Sequence, residues 1–274
     1  MATPSFKNLV DLYQKSVERF AGNPLYGVRT ADGSWEYGTY RDFGTKVDAF
    51  RGGLASLGVG VGDRVAVISN NRPEWAVGAY ATYGLGACYV PMYEKQNASD
   101  WEYIIRDCEA KVLLAANAKI AKTVRAFIDK IDSLETVIDL SAGEDDDNSY
   151  ASLVKRGHAN PVDALDPDPE SLCGFIYTSG TTGNPKGVRL SHGNIISNVN
   201  AVQDIFDMCP SDRSLSFLPW AHSFGQTCEL HCGISVGASS AICDDVTKLI
   251  GYLSEVKPTL LFSVPRIFNR IYDG

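Results

Sequence analysis

Four hydroxyl side chains, two glycines and a lysine fall within the nine residues from Thr178 to Lys186, in the segment YTSGTTGNPKGV that runs from Tyr177 to Val188. Thr178, Ser179, Thr181 and Thr182 can donate to phosphate oxygens, Gly180 and Gly183 let the backbone come close, and Lys186 brings positive charge. Such a set suits a polyphosphate. A Ser/Thr/Gly cluster with no context reads as a solvated turn. Here it follows the apolar run Leu172 to Ile176, itself preceded by the Asp and Pro turn signals of Asp163 to Pro169, so a buried strand is expected to deliver it. The pattern differs from the P-loop of nucleotide hydrolases, which has glycine before its lysine, Ser or Thr after it and a helix starting there. Pro185 and Gly187 flank Lys186 instead, and Pro185 has no N–H to offer. Phosphate is therefore expected to be held by alcohols and an ammonium group, with more strand at Gly187 to Leu190 and a helix only from about Ser191.

A second chemical candidate is His222, in LPWAHSFGQ from Leu218 to Gln226. A lone histidine is more often a core residue hydrogen-bonded at a helix start. Trp220 and Phe224 flank it and can either line an apolar channel or serve as core. Ser214 to Leu218 reads as a strand ending at this segment. Both motifs thus leave the carboxyl ends of strands, where open parallel sheets bind ligands, and they converge on one edge if the two strands are neighbours.

The loop resembles the signature of the adenylate-forming enzymes: acyl-CoA synthetases, aryl-CoA ligases, luciferases and the adenylation domains of peptide synthetases. LPWAHSFGQ, SVPRIFNRIYDG (Ser263 to Gly274), the stretch around Trp35 to Tyr40 and GDRVAVISNNRPEW extend the likeness across essentially the whole chain, and it is most similar to the long-chain fatty acyl-CoA synthetase branch. That resemblance implies a two-step reaction. A fatty acid carboxylate attacks the α-phosphorus of ATP to give acyl-AMP and pyrophosphate, and coenzyme A then displaces AMP. Because an anion must approach a polyanion, charge neutralisation dominates the catalytic problem. By position, Thr178, Ser179, Gly180, Thr181, Thr182, Gly183 and Lys186 would cradle the β- and γ-phosphates, with Thr181 near Mg2+. Lys186 and His222 would be the catalytic groups, and Trp220, His222, Ser223 and Phe224 would border the acyl pocket. The resemblance also implies an amino-terminal piece of a longer adenylation protein, since the family continues past this point with a Gly-Thr-Glu segment, a ribose-binding aspartate, a hinge and a small domain carrying a catalytic lysine. The piece alone is expected to turn over negligibly, and a nucleotide-binding or interaction module without catalysis is the alternative reading.

The remaining features bound these readings. The 274 residues carry 33 acidic and 25 basic side chains, a net charge of −8, which gives no polyelectrolyte argument for nucleic acid. Any polyanionic ligand needs a local cation, which Lys186 offers. No apolar run is long enough to cross a membrane, and the amino terminus lacks the layout of a signal peptide. Seven scattered cysteines, an odd number, suit reduced thiols. A cytoplasmic enzyme, with peripheral membrane association left open, is expected. Three motifs imitate other chemistries. Gly58 to Asp63 has part of a dinucleotide fingerprint but precedes its strand, so it reads as a turn. His222, Cys228, His231 and Cys232 lack an ordered zinc spacing. Gly233-Ile234-Ser235-Val236-Gly237 has the form of a hydrolase elbow, yet a helical stretch precedes it and all four histidines lie before Ser235.

These residues need a scaffold, and the patterning predicts an α/β fold of mainly parallel, doubly wound sheets flanked by helices. A hairpin is expected over Tyr26 to Tyr37, then a helix capped by Thr39 with Phe43, Val47, Phe50, Leu54 and Leu57 on one face. Strands are expected at Arg64 to Ile68, Cys88 to Tyr93, Lys111 to Ala115, Thr136 to Leu140 and Thr259 to Val264. Helices are expected from Pro73 to about Leu85, from a Ser99/Glu102 capping box to Cys108, through Ile120 to Ile131, from Ser191 through Phe206, over Val246 to Val256 and from Pro265. Residues 143–148 and 161–169 read as surface connections. We expect residues 1–60 to form a hairpin and helix, 61–170 a first α/β subdomain, and 171–274 the phosphate loop with part of a second.

Overall fold

The computed structural model describes residues 5–178 and 183–273. In chain order the elements are α1 (Leu9–Phe20), β1 (Pro24–Arg29), β2 (Trp35–Thr39), α2 (Tyr40–Ser56), β3 (Arg64–Ile68), α3 (Pro73–Gly84), β4 (Cys88–Met92), α4 (Ala98–Asp107), β5 (Val112–Ala115), α5 (Ala118–Arg125) and β6 (Thr136–Asp139). Then come α6 (Tyr150–Ala159), β7 (Leu172–Thr178), β8 (Lys186–Ser191), α7 (His192–Ile205), β9 (Arg213–Ser216), α8 (Cys232–Val236), β10 (Ser239–Ile242), α9 (Leu249–Val256) and α10 (Pro265–Asp273). Among the described residues no helix is long and apolar enough to cross a membrane.

Two sheets result. One has the order β6-β5-β3-β4-β7-β8, parallel except for β8, which returns antiparallel beside β7; the other has the order β2-β1-β10-β9, parallel except for β2. Alternation along the strands of the larger sheet sends neighbours to opposite faces. Val65, Val67, Val112, Leu114 and Ile138 join the helices α1, α2 and α3, whereas Ala66, Ile68, Leu113, Ala115 and Val137 pack on α4 and α5. The smaller sheet turns Tyr26 and Ile242 toward the same α1–α2–α3 layer and Leu215 and Ala241 toward α9. The expected doubly wound arrangement is thus present as five layers, with one helical layer serving two sheets.

Local signals explain most boundaries. Thr39 caps α2 in a reciprocal box with Asp42, an arrangement whose loss costs about 1 kcal/mol. Ser191 does the same for α7 with Asn194. Pro73 opens α3, and Gly58 and Gly62 adopt positive φ in the turn before β3.

Elsewhere the expectations need correction. α4 starts after Asn97, without a side-chain cap, so Ser99 lies inside the helix and makes no capping box. The apolar repeat Ile120 to Ile131 is not one helix: α5 ends at Arg125 and a 3-10 turn covers Ile128–Lys130. Thr259 to Val264 forms no strand, only a single bridge from Leu260 to Ser214. Phe206 falls outside α7 and is exposed. α1 and α6 were not anticipated. Sheet membership also does not follow the divisions expected at 60 and 170, because β1 and β2 pair with the late strand β10 while β7 and β8 complete the earlier sheet.

α6 packs against α2 backbone to backbone. A Cβ on Gly157 would stand 1.7 Å from the Ala49 carbonyl oxygen and one on Gly53 2.4 Å from that of Leu153. Gly157→Ala is therefore expected to destabilise the fold by about 3 kcal/mol, as overpacking does when only backbone can yield, measured by urea unfolding.

Two buried histidines sit in the shared layer. His192 Nδ1 accepts from the Leu9 N–H at 3.3 Å and His231 Nδ1 lies 2.7 Å from the Tyr80 hydroxyl, with the Tyr83 ring beside both. Burial pulls His192 down to about 4; burial, then the nearby His192, pulls His231 down to about 3. Both are neutral when folded but can bind protons once unfolded near the usual value of about 6.5. The stability present above that pH should be lost progressively as pH falls toward the folded values. A Tm series from pH 7 to 4 should decline, and less steeply in His192→Gln and His231→Gln.

Candidate active site

The phosphate-loop candidates sit on the β7–β8 hairpin. Thr178 ends β7 and Lys186 begins β8, and the two are register partners across the strands. Thr178, Gly183 and Lys186 are exposed, so the loop base stands on the surface at the carboxyl end of β7. Gly183 has φ +114, a conformation that a Cβ would strain. One pair inward, the Tyr177 ring lies across Gly187, where a Cβ would come within 2.9 Å of it, and the Tyr177 hydroxyl donates to Asp107 at 2.5 Å. Among the described residues Lys186 has no ion-pair partner, which leaves its ammonium available to an anion. Ser179, Gly180, Thr181 and Thr182 lie outside the described residues.

His222 occupies the connection between β9 and a π-helical segment, Gly225–His231. Its backbone is fixed at both ends: its N–H donates to the Pro219 carbonyl at 3.0 Å, and its carbonyl accepts from the Gln226 N–H at 2.9 Å. The ring is exposed, and its Nδ1 accepts from the Phe224 N–H at 3.2 Å. An acceptor at Nδ1 places the proton of the neutral ring on Nε2, which makes His222 a hydrogen-bond donor toward solvent or ligand.

His222 and Phe224 border a small cleft of ≈ 190 Å³ with Tyr93, Leu218, Pro219, Gly225 and Val264. Ser223 and Phe224 border a second, of ≈ 390 Å³, against Asn194, Asn198 and Val202 on α7. Trp220, expected to line an acyl channel, is instead 1% exposed and packs between Tyr26 and Trp75 in the layer between the sheets. Trp220 lies in a turn four residues past β9, where Asn71 accepts from its N–H and Glu229 from its indole, while His222, two residues on, is exposed.

The strands carrying the two motifs are not neighbours. β7 belongs to the six-stranded sheet and β9 to the four-stranded one, so the expected convergence on one edge is replaced by an approach of two sheets, and neither cleft beside His222 includes Thr178 or Lys186. The link is Asn71, in the connection from β3 to α3. Its amide nitrogen donates to Ser216 Oγ (3.0 Å) and to the Leu218 carbonyl (2.8 Å), and its oxygen accepts from the Trp220 N–H (2.8 Å). Behind it Glu229 is 3% exposed and accepts from Ser216 Oγ at 2.7 Å and Trp220 Nε1 at 3.1 Å. Neither Asn71 nor Glu229 stood out as a candidate in the sequence, although a lone acidic residue in an otherwise apolar helical stretch is a usable signal.

Ser235 is no nucleophile. It is 1% exposed, donates to the Cys232 carbonyl and is hydrogen-bonded by Gln203, and helix α8 surrounds it where an elbow would need a strand-to-helix turn. Cys232 and His231 are buried, and among the described residues no group of three or more His, Cys, Asp or Glu side chains is placed to hold a metal ion.

Residues 13–274 match the AMP-binding enzyme family. The chain is 30% identical to long chain acyl-CoA synthetase 7, peroxisomal, of Arabidopsis thaliana, over 99% of its own length and 41% of that protein's. It is 32% identical to the long-chain-fatty-acid–CoA ligase FadD15 of Mycobacterium bovis, over 89% of this chain and 42% of that one. The chain thus spans less than half the length of these relatives. In structure it is similar to the N-terminal domain of FACL13 from Mycobacterium tuberculosis (TM-score 0.82, 24% identity, 97% of this chain and 65% of that one). It is also similar to the anthranilate CoA ligase AuaEII (TM-score 0.82, 23% identity, 96% and 51%). The fold, the hairpin with its exposed lysine and the match over nearly the full length lead to one conclusion: this chain belongs to the AMP-binding enzyme family.

Proposed function

We propose that this chain carries the nucleotide- and acyl-binding part of a ligase that activates a long-chain fatty acid as acyl-AMP and passes the acyl group to coenzyme A. Family membership supports the reading, and so does the similarity to relatives named as long-chain acyl-CoA synthetases. The structural observation that carries it is Lys186, an exposed cation without an ion-pair partner among the described residues, at the base of a hydroxyl- and glycine-rich hairpin in a chain of net charge −8.

In the first step a carboxylate oxygen bonds to the α-phosphorus while the bond from that phosphorus to pyrophosphate breaks, and no proton need move. The Thr178 hydroxyl and the Lys186 ammonium, with the loop residues Ser179, Gly180, Thr181, Thr182 and Gly183 between them, hold the β- and γ-phosphates and draw negative charge toward the leaving group. Magnesium bound with the nucleotide supplies further neutralisation, and Thr181 is the residue we assign beside it. The fixed Nε2–H of His222 donates to the carboxylate or an α-phosphate oxygen. Phe224 and its apolar neighbours Leu218, Pro219 and Val264 exclude water from the acyl side, with Ser223 at the rim. In the second step the thiol sulfur of coenzyme A bonds to the acyl carbon, AMP departs and the thiol proton passes to solvent.

Fatty-acid-dependent release of pyrophosphate by the intact gene product, assayed with acids of graded length, tests this reading; no release with any carboxylic acid would overturn it. Lys186→Ala should slow acyl-AMP formation by about 100-fold, the scale of losing one preorganised donor to a developing charge. His222→Ala should reduce kcat by a similar factor while the nucleotide still binds, measured by single-turnover kinetics beside ATP titration.

A further inference from the structure

Behind the His222 connection lies a buried carboxyl with an unusual inventory of partners. Glu229 Oε2 takes two side-chain donors from the connection that leads to His222, one from Ser216 at the end of β9 and one from the Trp220 indole, and the Phe217 backbone N–H faces the same carboxyl. Asn71 grips the same stretch from the other sheet, through Ser216, the Leu218 carbonyl and the Trp220 N–H. Five hydrogen bonds from two side chains therefore hold residues 216–220. The His222 N–H rests on Pro219 inside that stretch, and the His222 carbonyl rests on Gln226, in the π-helical segment that carries Glu229.

We propose that Glu229, acting with Asn71, is a positioning residue that holds the His222 ring at the mouth of its cleft in the Nε2–H form. The purpose of this arrangement rests on the ligase reading, but its test does not. A carboxyl buried this deeply is costly to keep, and a fold needing only packing there would be better served by an apolar side chain of similar volume. What an apolar residue cannot do is receive two donors at once and so tie the end of β9 to the indole that precedes the histidine. Burial pushes the Glu229 carboxyl up to about 8, and the hydrogen bonds from Ser216, Trp220 and the Phe217 backbone N–H pull the other way. The π-helical winding suits the role, since such segments inside helices recur at functional sites where a side chain must be aimed off the regular α spacing.

The test is a long-range proton–nitrogen correlation spectrum of the 274-residue chain labelled with 15N-histidine. Its four histidines give four imidazole patterns, and His222 is assigned by the pattern lost in His222→Gln. Native protein should show His222 as a single Nε2–H tautomer. Glu229→Gln, which keeps an oxygen for both donors, should retain that pattern. Glu229→Leu and Trp220→Phe should lose it to tautomer averaging while the His192 and His231 patterns persist as internal evidence of folding. Should Glu229→Leu fail to fold, Trp220→Phe, which removes the indole donor together with part of a ring buried between Tyr26 and Trp75, decides alone provided its His192 and His231 patterns persist. A single-tautomer His222 pattern in folded Trp220→Phe overturns the proposal. If the ligase reading alone is wrong, pyrophosphate release is absent and yet the tautomer still follows Glu229, so the two failures separate.

Discussion

One layer of helices has to satisfy two sheets at once. α1, α2 and α3 pack Val65, Val67 and Leu114 of the larger sheet on one side and Tyr26, Trp220 and Ile242 of the smaller sheet side on the other. An apolar contact of this kind is strong but carries little directional information, so it brings the sheets together without dictating how their strand ends face each other. Direction comes from the few polar groups that cross the layer's rim. Asn71 spans from the β3 end to the segment after β9 with three hydrogen bonds, and Tyr40 reaches the Ala238 carbonyl at 2.8 Å from α2. Buried polar ties are expensive to leave unsatisfied, which is why such a small number can fix a relative placement that the apolar area leaves open.

The chain's charge sets the second condition. With a net charge of −8, the molecule as a whole repels a polyanion, and attraction depends on where individual cations stand. Several arginines are occupied: Arg64 with Glu109, Arg72 with Glu74, Arg51 with Asp48, and Arg29 with Glu255 and the Trp35 and Tyr252 rings. Lys186 differs because its strand partner is a threonine and its neighbours are glycine and proline, none of which can neutralise it. Selectivity for a phosphate chain over other ligands thereby falls to a position, not to a field.

How much of this the sequence discloses depends on whether a feature is encoded locally. The Thr39 and Ser191 caps, Pro73 and the alternating strands rest on near neighbours and are readable. The loop from Thr178 to Lys186 is readable for the same reason, since hydroxyls, glycines and lysine are contiguous. α6 escapes notice because its apolar signal is short: Tyr150, Leu153 and Val154 make one turn of helical spacing, and the contact is completed by Gly157 against Gly52 and Gly53 of α2, where no side chain extends the pattern. Thr259 to Val264 has strand composition but obtains a single bridge, because a strand exists only when a partner edge is presented along its length. The membership of β7 and β9 in different sheets is a decision about pairing over long sequence separation, invisible in either segment alone. Asn71 and Glu229 are missed for a related reason. Each matters through hydrogen-bond partners about 145 and 10 residues away, and a single polar residue carries no pattern of its own.

The winding of Gly225–His231 carries an implication for chain length. A π turn accommodates one more residue than an α turn between the same two ends. Excising one residue there would let the segment relax into ordinary α geometry with both flanks still docked and in register, because the residue removed is the one the wider turn had accommodated. Only residues inside the turn would be re-aimed, and the carboxyl that ties Ser216 to the Trp220 indole is one of them. Length at this one place thus governs what stands beside the histidine loop while the surrounding scaffold keeps its form.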